Sequence, residues 1–488
     1  MISLCFDFVG AYLQGNLGTE VIVVRPPSEW REVDPADGCE MLWFMIKGMY
    51  GLCKAGQIWN NTICDFMTRD ANGPQYLVSD ADPCVLYKHI DLTPSEQRQL
   101  KAHINQPGER TLDNIDCTRA LIVITLYVDD GKQFWDNLPR VSAIAAQDRK
   151  LIASRFEVGF DKPLDWFLGM NEIAHEDGSV TLCSRTYIED LAKRFLIKPV
   201  EKYPLAYNDV PADNRLVAAY AEARKRSHII DEGIRKLYGS LVGALLYLAP
   251  TTCPGIAAPV RLLAQCLTYP TEALLECARF VVVYLLRNQP GIRFSRDVED
   301  SDQLRQYCDA DWPSEKAASG VCTLLAGASI GHMSRTQHCV AMSSAESELV
   351  ALSSGALELL FHQQLHGELL FNTDMAETCT DNSAAHRLCF RRTAGQYSKH
   401  IERRCFKMRE LVSLKKVRLL LVGTDHNPAD LFTKVLGKDK FHRFSVHVTN
   451  PYQHKASAAV LAKRRRAISA YACAHVHRPD RGHRRRRF

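Results

Sequence analysis

The sequence predicts a multidomain chain of mixed α/β and α+β class, and three observations predict it. Strand-like apolar runs alternate with amphipathic helices to about residue 200, residues 215–290 are helically patterned, and a strand-rich segment starts near Leu304. At 488 residues the chain exceeds one ordinary core, so two or three are expected. With 46% apolar and 24% charged residues it reads as globular, which excludes a disordered or fibrous chain.

The first segment is punctuated by Pro and Gly at "RPPSEW", "PADG" and "NGPQ", where elements must end. Residues 93–116 are polar and weakly patterned and read as a loop or insertion. The helical stretch includes "IRKLYGSLVGALLYLA" and "EALLECARFVVVYLLRNQPG", the second stopped by its Pro-Gly. Residues 446–488 are basic and read as a disordered tail.

The 17 cysteines are scattered with no Cys-x-x-Cys pair, so reduced thiols are expected rather than a zinc knuckle or disulfide scaffold. The start, "MISLCFDFVG", has no basic leader and carries Asp7 inside its apolar run, unlike a signal peptide. No stretch has the uncharged length of a membrane span, and no membrane partner is expected. The net charge of +5 is uneven: residues 451–488 hold 11 Lys/Arg against one Asp. Residues 387–418 hold 11 Lys/Arg against Glu402 and Glu410, a patch that suits polyphosphate or a solvated face alike.

Two groups of acids stand out. In "LYVDD", Asp129 and Asp130 follow an apolar strand, and Asp7 follows another, five residues before Tyr12. One Asp at a strand end is usually a turn former, but two strands converging carboxylates can hold two divalent ions for phosphoryl transfer. The second group begins with Asp309, at the end of a strand in "LRQYCDADW". Ser343 and Glu346 read as a capping box, whereas Glu348 shares a helix face with Leu352, Ala356 and Leu359 and wants a partner there. Asp381 stands where a strand passes into a helix and reads alone as an N-cap. Asp430 follows Asn427 as cap and Pro428 at the first helical position, where a helix favours an acid.

The blocks Asp7–Tyr12, "YGLCKAGQIW", "LYVDD", "WFLGMNEI" and "YIEDLAKRF" together resemble, in order, the reverse transcriptase of copia-type retrotransposon Pol polyproteins. "YCDADW", "VAMSSAESELVALS", "TDNSAA", "SKHIERR" and "ADLFTK" resemble the ribonuclease H of the same polyproteins. The resemblance implies a reverse-transcriptase palm over 1–195, a helical thumb or connection over 196–300, and an RNase H-like mixed-sheet domain over 301–445. It implies catalytic, metal-binding roles for Asp7, Asp129 and Asp130 in one site and for Asp309, Glu348, Asp381 and Asp430 in the other. Each site would take two Mg²⁺ or Mn²⁺ ions. Phe8, Tyr12 and Gly51 would meet the nucleotide, and Lys399, His400, Arg403, Arg404 and Lys407 the nucleic acid.

The implied partners are an RNA template, a DNA primer, an RNA–DNA hybrid and dNTPs, within a precursor polyprotein or a homo-oligomer. The implied location is the cytoplasm, in virus-like particles, or the nucleus. Two departures from the family bear on polymerase activity. The chain begins almost at Asp7, leaving the fingers largely missing, and "GKQFWDN" after Asp130 predicts a poorly buried second arm of the hairpin. A decayed, inactive fragment and a non-catalytic nucleic-acid-binding protein remain open as alternatives.

Overall fold

The computed structural model describes residues 1–449 except 19–20, 105–115, 163–165, 198–208, 227–228, 296–302, 313–315, 371–373 and 391–401. Of residues 161–162 and 402–406 it describes the backbone alone, so the expected tail lies outside the described residues. The chain divides into two compact units, one of residues 1–178 and 360–374, the other of 179–359 and from 375 onward.

The first unit runs β1 (Ile2–Phe8), α1 (Ala11–Gln14), β2 (Ile22–Val24), β3 (Trp43–Met45), α2 (Ala55–Thr68), β4 (Leu77–Val78) and β5 (Val85–Asp91). It continues with α3 (Pro94–Ile104), β6 (Arg119–Tyr127), β7 (Asp130–Trp135), α4 (Pro139–Arg155), β8 (Val158–Lys162), β9 (Trp166–Phe167) and β10 (Met170–Ala174). Six strands form an antiparallel sheet in the order β4-β5-β6-β7-β1-β8. Strand β6 loses its polar alternation because both its faces are covered. Ala120, Ile122, Ile124 and Leu126 join a core with Trp59 and Ile63 of α2 and Val141 and Ile152 of α4. Leu121 and Val123 meet Val85, Leu365 and Leu369 on the other face. Full burial of each such aliphatic side chain contributes roughly 1.5–3 kcal/mol.

Two expectations are corrected in this unit. Residues 94–104, read as loop, are helix α3, because Thr93 and Glu96 form a capping box ahead of buried Leu100. The Thr93 N–H donates to Glu96 Oε2 at 2.9 Å, and the Glu96 N–H donates back to Thr93 Oγ1 at 3.4 Å. Strand β7, expected to be poorly buried, is buried at Gly131, Lys132, Gln133 and Trp135. Its polar residues find partners far off in sequence. Lys132 pairs with Glu172 of β10, and Gln133 accepts from Arg149 at 2.6 Å and donates to the Tyr76 hydroxyl at 3.2 Å. Gly131 has no side chain because the Phe6 ring fills that space; a Cβ would lie 2.2 Å from it.

The second unit opens with β11 (Val180–Cys183), α5 (Arg185–Arg194), α6 (Asn214–Arg224), α7 (Glu232–Leu248), α8 (Ala257–Ala264), α9 (Glu272–Asn288) and β12 (Gly291–Phe294). Asp213, Asp231 and Thr271 cap α6, α7 and α9 with their side chains, and α9 ends at Gln289 in the left-handed region, just before Pro290. There follow β13 (Arg305–Asp311), β14 (Ala318–Leu325), β15 (Ala328–Thr336), α10 (Ser344–Leu370), β16 (Ala376–Thr380) and α11 (Ser383–Phe390). The unit closes with α12 (Glu402–Ser413), β17 (Val417–Leu421), α13 (Asp430–Thr433) and α14 (Lys438–Thr449). The last turns of α10 belong to the first unit.

The mixed sheet has the order β15-β14-β13-β16-β17, antiparallel from β15 to β13 and parallel from β13 to β17. Leu241, Leu245, Val281 and Leu285 of the helical segment share one core with Leu431, Phe432, Phe441 and Phe444. That core runs across the boundary read at residue 300. Among the described residues Cys308, Cys322 and Cys379 are buried free thiols, and no helix is long and apolar enough to cross a membrane.

Candidate active site

In the second unit, parallel pairing sets two acids level. Tyr307 lies opposite Cys379, so Asp309 and Asp381 fall together two residues further along β13 and past the end of β16. Helix α10 brings the third. Ser343 Oγ accepts from the Glu346 N–H at 3.2 Å while Glu346 Oε2 accepts from the Met342 N–H at 2.7 Å, so Glu346 is spent on the cap. Glu348, on the buried face with Leu352, Ala356 and Leu359, turns to the sheet. Gly355 lets the helix come this close, since a Cβ there would lie 2.7 Å from Gln306 Oε1. The Gln306 amide donates to the Gly355 carbonyl at 2.9 Å and to Thr323 Oγ1 at 3.0 Å, which fixes helix on strand.

One carboxylate oxygen from each of Asp309, Glu348 and Asp381 lies within 4.8 Å of the others. The N-cap reading of Asp381 is corrected: Asn382 Oδ1 accepts from the Ala384 and Ala385 N–H groups, each at 3.0 Å. Asp381 is thereby left to the acidic cluster. Burial pushes Asp309 up to about 7, with Lys434 opposing and Asp430 adding. Burial pushes Glu348 up to about 9, reinforced by Asp309 and Asp381. Such mutual repulsion in a dry site is relieved by a cation.

Asp430 is fully buried and lies next to Asp309, joined to it through Lys434, but is not among the three acids whose oxygens lie within 4.8 Å of one another. The expected cap is corrected: α13 begins at Asp430 with Ala429 at its N-cap, and Asn427 instead closes the preceding turn, its Oδ1 accepting from the Ala429 N–H at 3.2 Å. Lys434 donates to Asp430 Oδ1 at 2.6 Å, and Lys440 donates to Oδ2. Burial alone would raise Asp430, but these two lysines win and hold it below the usual carboxylate range. Thr433 Oγ1 donates to Asp309 Oδ2, and the Asn427 amide donates to the Cys308 carbonyl at 2.9 Å, so α13 is clipped to β13.

The trio fits a divalent ion by its donors. Three carboxylates are hard oxygen ligands of the kind Mg²⁺ and Mn²⁺ take, and Glu348 Oε2 is buried without a hydrogen-bond partner.

In the first unit Asp7 and Asp130 are register partners across β1 and β7, and the Phe8 N–H donates to the Asp129 carbonyl at 2.8 Å. The pairing of β1 with β8 shifts register between Cys5 and Asp7, a bulge beside the acid. Val128 turns the hairpin with φ +58°, a conformation costly for a β-branched residue. The Trp59 indole N–H, 2.6 Å from the Val128 carbonyl, holds that turn.

Tyr12 packs on Tyr50 at 5.1 Å between ring centroids, and exposed Gly51 takes φ +90°, as only glycine readily does. The nucleotide contact expected of Phe8 is corrected for its ring, which is buried on Trp59 and Phe156 at 5.0 and 5.8 Å. Lys399 and His400 lie outside the described residues, as do the side chains of Arg403 and Arg404; Lys407 is half-buried on α12. Sequence reasoning passed over Trp59, Gln306, Thr433, Lys434 and Lys440. Only Lys434 carried a signal, four residues after Asp430 on a helix.

No family model matches the chain. It is 26% identical over 451 residues to the retrovirus-related Pol polyprotein from transposon TNT 1-94 of Nicotiana tabacum, covering 89% of this chain and 30% of that one. It is 24% identical over 454 residues to that from transposon RE1 of Arabidopsis thaliana, covering 90% and 27%. It is 26% identical over 360 residues to a putative transposon Ty5-1 protein of Saccharomyces cerevisiae, covering 72% and 100%. The chain thus spans under a third of the length of the two plant polyproteins it matches. A solved foamy viral protease-reverse transcriptase in complex with RNA/DNA hybrid covers 86% of this chain and 44% of its own, at 11% identity and TM-score 0.43. That likeness is too shallow to add to the strand orders above. Through nearly its whole length, the chain's homologues are retrovirus-related Pol polyproteins of plant and yeast copia-type transposons.

Proposed function

We propose that the chain is the reverse transcriptase and ribonuclease H part of such a polyprotein, and that its second unit cleaves RNA in RNA–DNA hybrids. The observation that carries this is the convergence of Asp309, Glu348 and Asp381, with an unpartnered buried oxygen on Glu348. The strand order β15-β14-β13-β16-β17, with α10 laid on β13, is the RNase H-like arrangement that positions them. Mg²⁺ or Mn²⁺ held by these acids, two ions in the full arrangement with Asp430, would supply the Lewis acidity that activates water and steadies phosphoryl charge. The residues do the positioning. Gln306 and Gly355 set the depth of Glu348, Thr433 orients Asp309, and Asn382 keeps Asp381 out of the cap.

On the family likeness and the pairing of Asp7 with Asp130 across β1 and β7, Asp7, Asp129 and Asp130 are the metal-binding acids of RNA-directed DNA synthesis, with Tyr12 and Gly51 beside the nucleotide, although their oxygens do not converge as those of the second unit's trio do. Template RNA, primer DNA and dNTPs are the partners of that reading. The test is cleavage of end-labelled RNA in a hybrid by the full chain with Mg²⁺ or Mn²⁺. Asp309→Asn and Glu348→Gln should each abolish cleavage while hybrid binding persists. Near wild-type turnover in either variant would overturn the assignment.

A further inference from the structure

Resting on the reading of Asp309, Glu348 and Asp381 as metal-holding acids, we propose that Lys434 is a displaceable counter-cation occupying the second cation position. Its ammonium lies 2.6 Å from Asp430 Oδ1 and 3.5 Å from Asp309 Oδ2, placing one positive charge between two carboxylates. The two oxygens belong to different elements, β13 and α13, and Thr433 Oγ1 ties those elements together beside the ammonium. The bridge is therefore held by the fold. It is not a chance meeting of surface charges.

The two ends of the site differ. On the Glu348 side an oxygen is buried without a hydrogen-bond partner, so a first ion meets no bound ammonium on that atom. On the Asp430 side both oxygens carry ammonium groups, Lys434 on one and Lys440 on the other. A second ion held between Asp309 and Asp430 must take the place of Lys434, because a dication and an ammonium repel strongly at that separation. The lysine can leave where the acid cannot: its side chain is 38% exposed, that of Asp430 0%. The ions therefore bind in unequal steps, and Lys434 sets the gap between them.

The test is a Mn²⁺ titration, by calorimetry and by the loss of free-ion signal in electron paramagnetic resonance. The full chain carries Asp7→Asn, Asp129→Asn and Asp130→Asn, so that the counted ions belong to this site. The parent should bind one ion tightly and a second weakly. Lys434→Met should tighten the second step about tenfold or more while leaving the first within about threefold, and Lys434→Arg should keep the second weak. Lys434→Gln is read in the same way if the Met variant does not fold. Equal affinities for the second ion in parent and neutral variants would overturn the proposal, as would weakening. Asp381→Asn separates the layers: if the tight ion survives that change, the reading of the acidic trio fails and the proposal with it.

Discussion

Arg261 donates its guanidinium to the Thr433 carbonyl at 3.0 Å and to Ser334 Oγ at 3.1 Å. A residue of the helical segment thus holds the turn that carries Thr433 to Asp309. Arg261→Met should cost roughly 1–3 kcal/mol, the penalty for leaving buried acceptors unpaired. Cleavage should fall about tenfold although no acid is altered, because the turn loosens. Thermal melts and hybrid turnover measured on the same preparation check both expectations.

The adjacent residues Asp381 and Asn382 divide their work. Asn382→Ala should lower stability by about 1 kcal/mol through loss of the cap, with cleavage largely retained. Asp381→Asn should abolish cleavage without loss of stability, since it removes like charge from the cluster. Denaturant melts and cleavage assays of the two variants would show the opposite pattern if Asp381 were the cap.

Stability without metal should fall as pH rises. Unfolded carboxyls titrate near pH ~4, whereas folded Asp309 and Glu348 are pushed up to about 7 and about 9. The folded state then binds more protons than the unfolded state between those limits, so each unit of pH removes stability. The stabilisation is fully present below the unfolded values and lost as pH rises through the folded ones. Melting in chelator from pH 5 to about pH 9 should show this decline, and Asp309→Asn should flatten it near neutrality. Added Mg²⁺ should restore stability most at the alkaline end.

Val128 holds φ +58° at the hairpin turn, where a β-branched side chain is strained. Val128→Gly should leave the chain as stable or up to about 1 kcal/mol more so, as relief of strain offsets the entropy of glycine. Trp59→Phe removes the indole donor that holds this turn and should destabilise it by about 1 kcal/mol. Chemical denaturation of both variants decides.

Much of this was legible in local spacing. The capping box at Ser343 and the apolar face shared by Glu348, Leu352 and Leu359 could be read directly, as could the stop after α9. The same box at Thr93 and Glu96 was missed because the residues around it are polar and few apolar positions mark the face of α3. The burial of β7 could not be read, since Lys132 depends on Glu172 and Gln133 on Tyr76 and Arg149, all distant in sequence. Likewise a cap could go to Asp381 or Asn382 on spacing alone, and only the fold assigns it. The lysines on Asp430 were hard to place: the spacing of Asp430 and Lys434 ordinarily reads as a surface pair, and Lys440 lies ten residues on with no spacing signal.

Asp309, Glu348 and Asp381 together should hold a divalent ion. Crystals of the chain soaked in Mn²⁺ and measured at the manganese absorption edge test it most directly. An anomalous peak bounded by those three carboxylates is expected, lost in Asp381→Asn. Manganese bound elsewhere in the second unit, with that position empty at saturating metal, would contradict it.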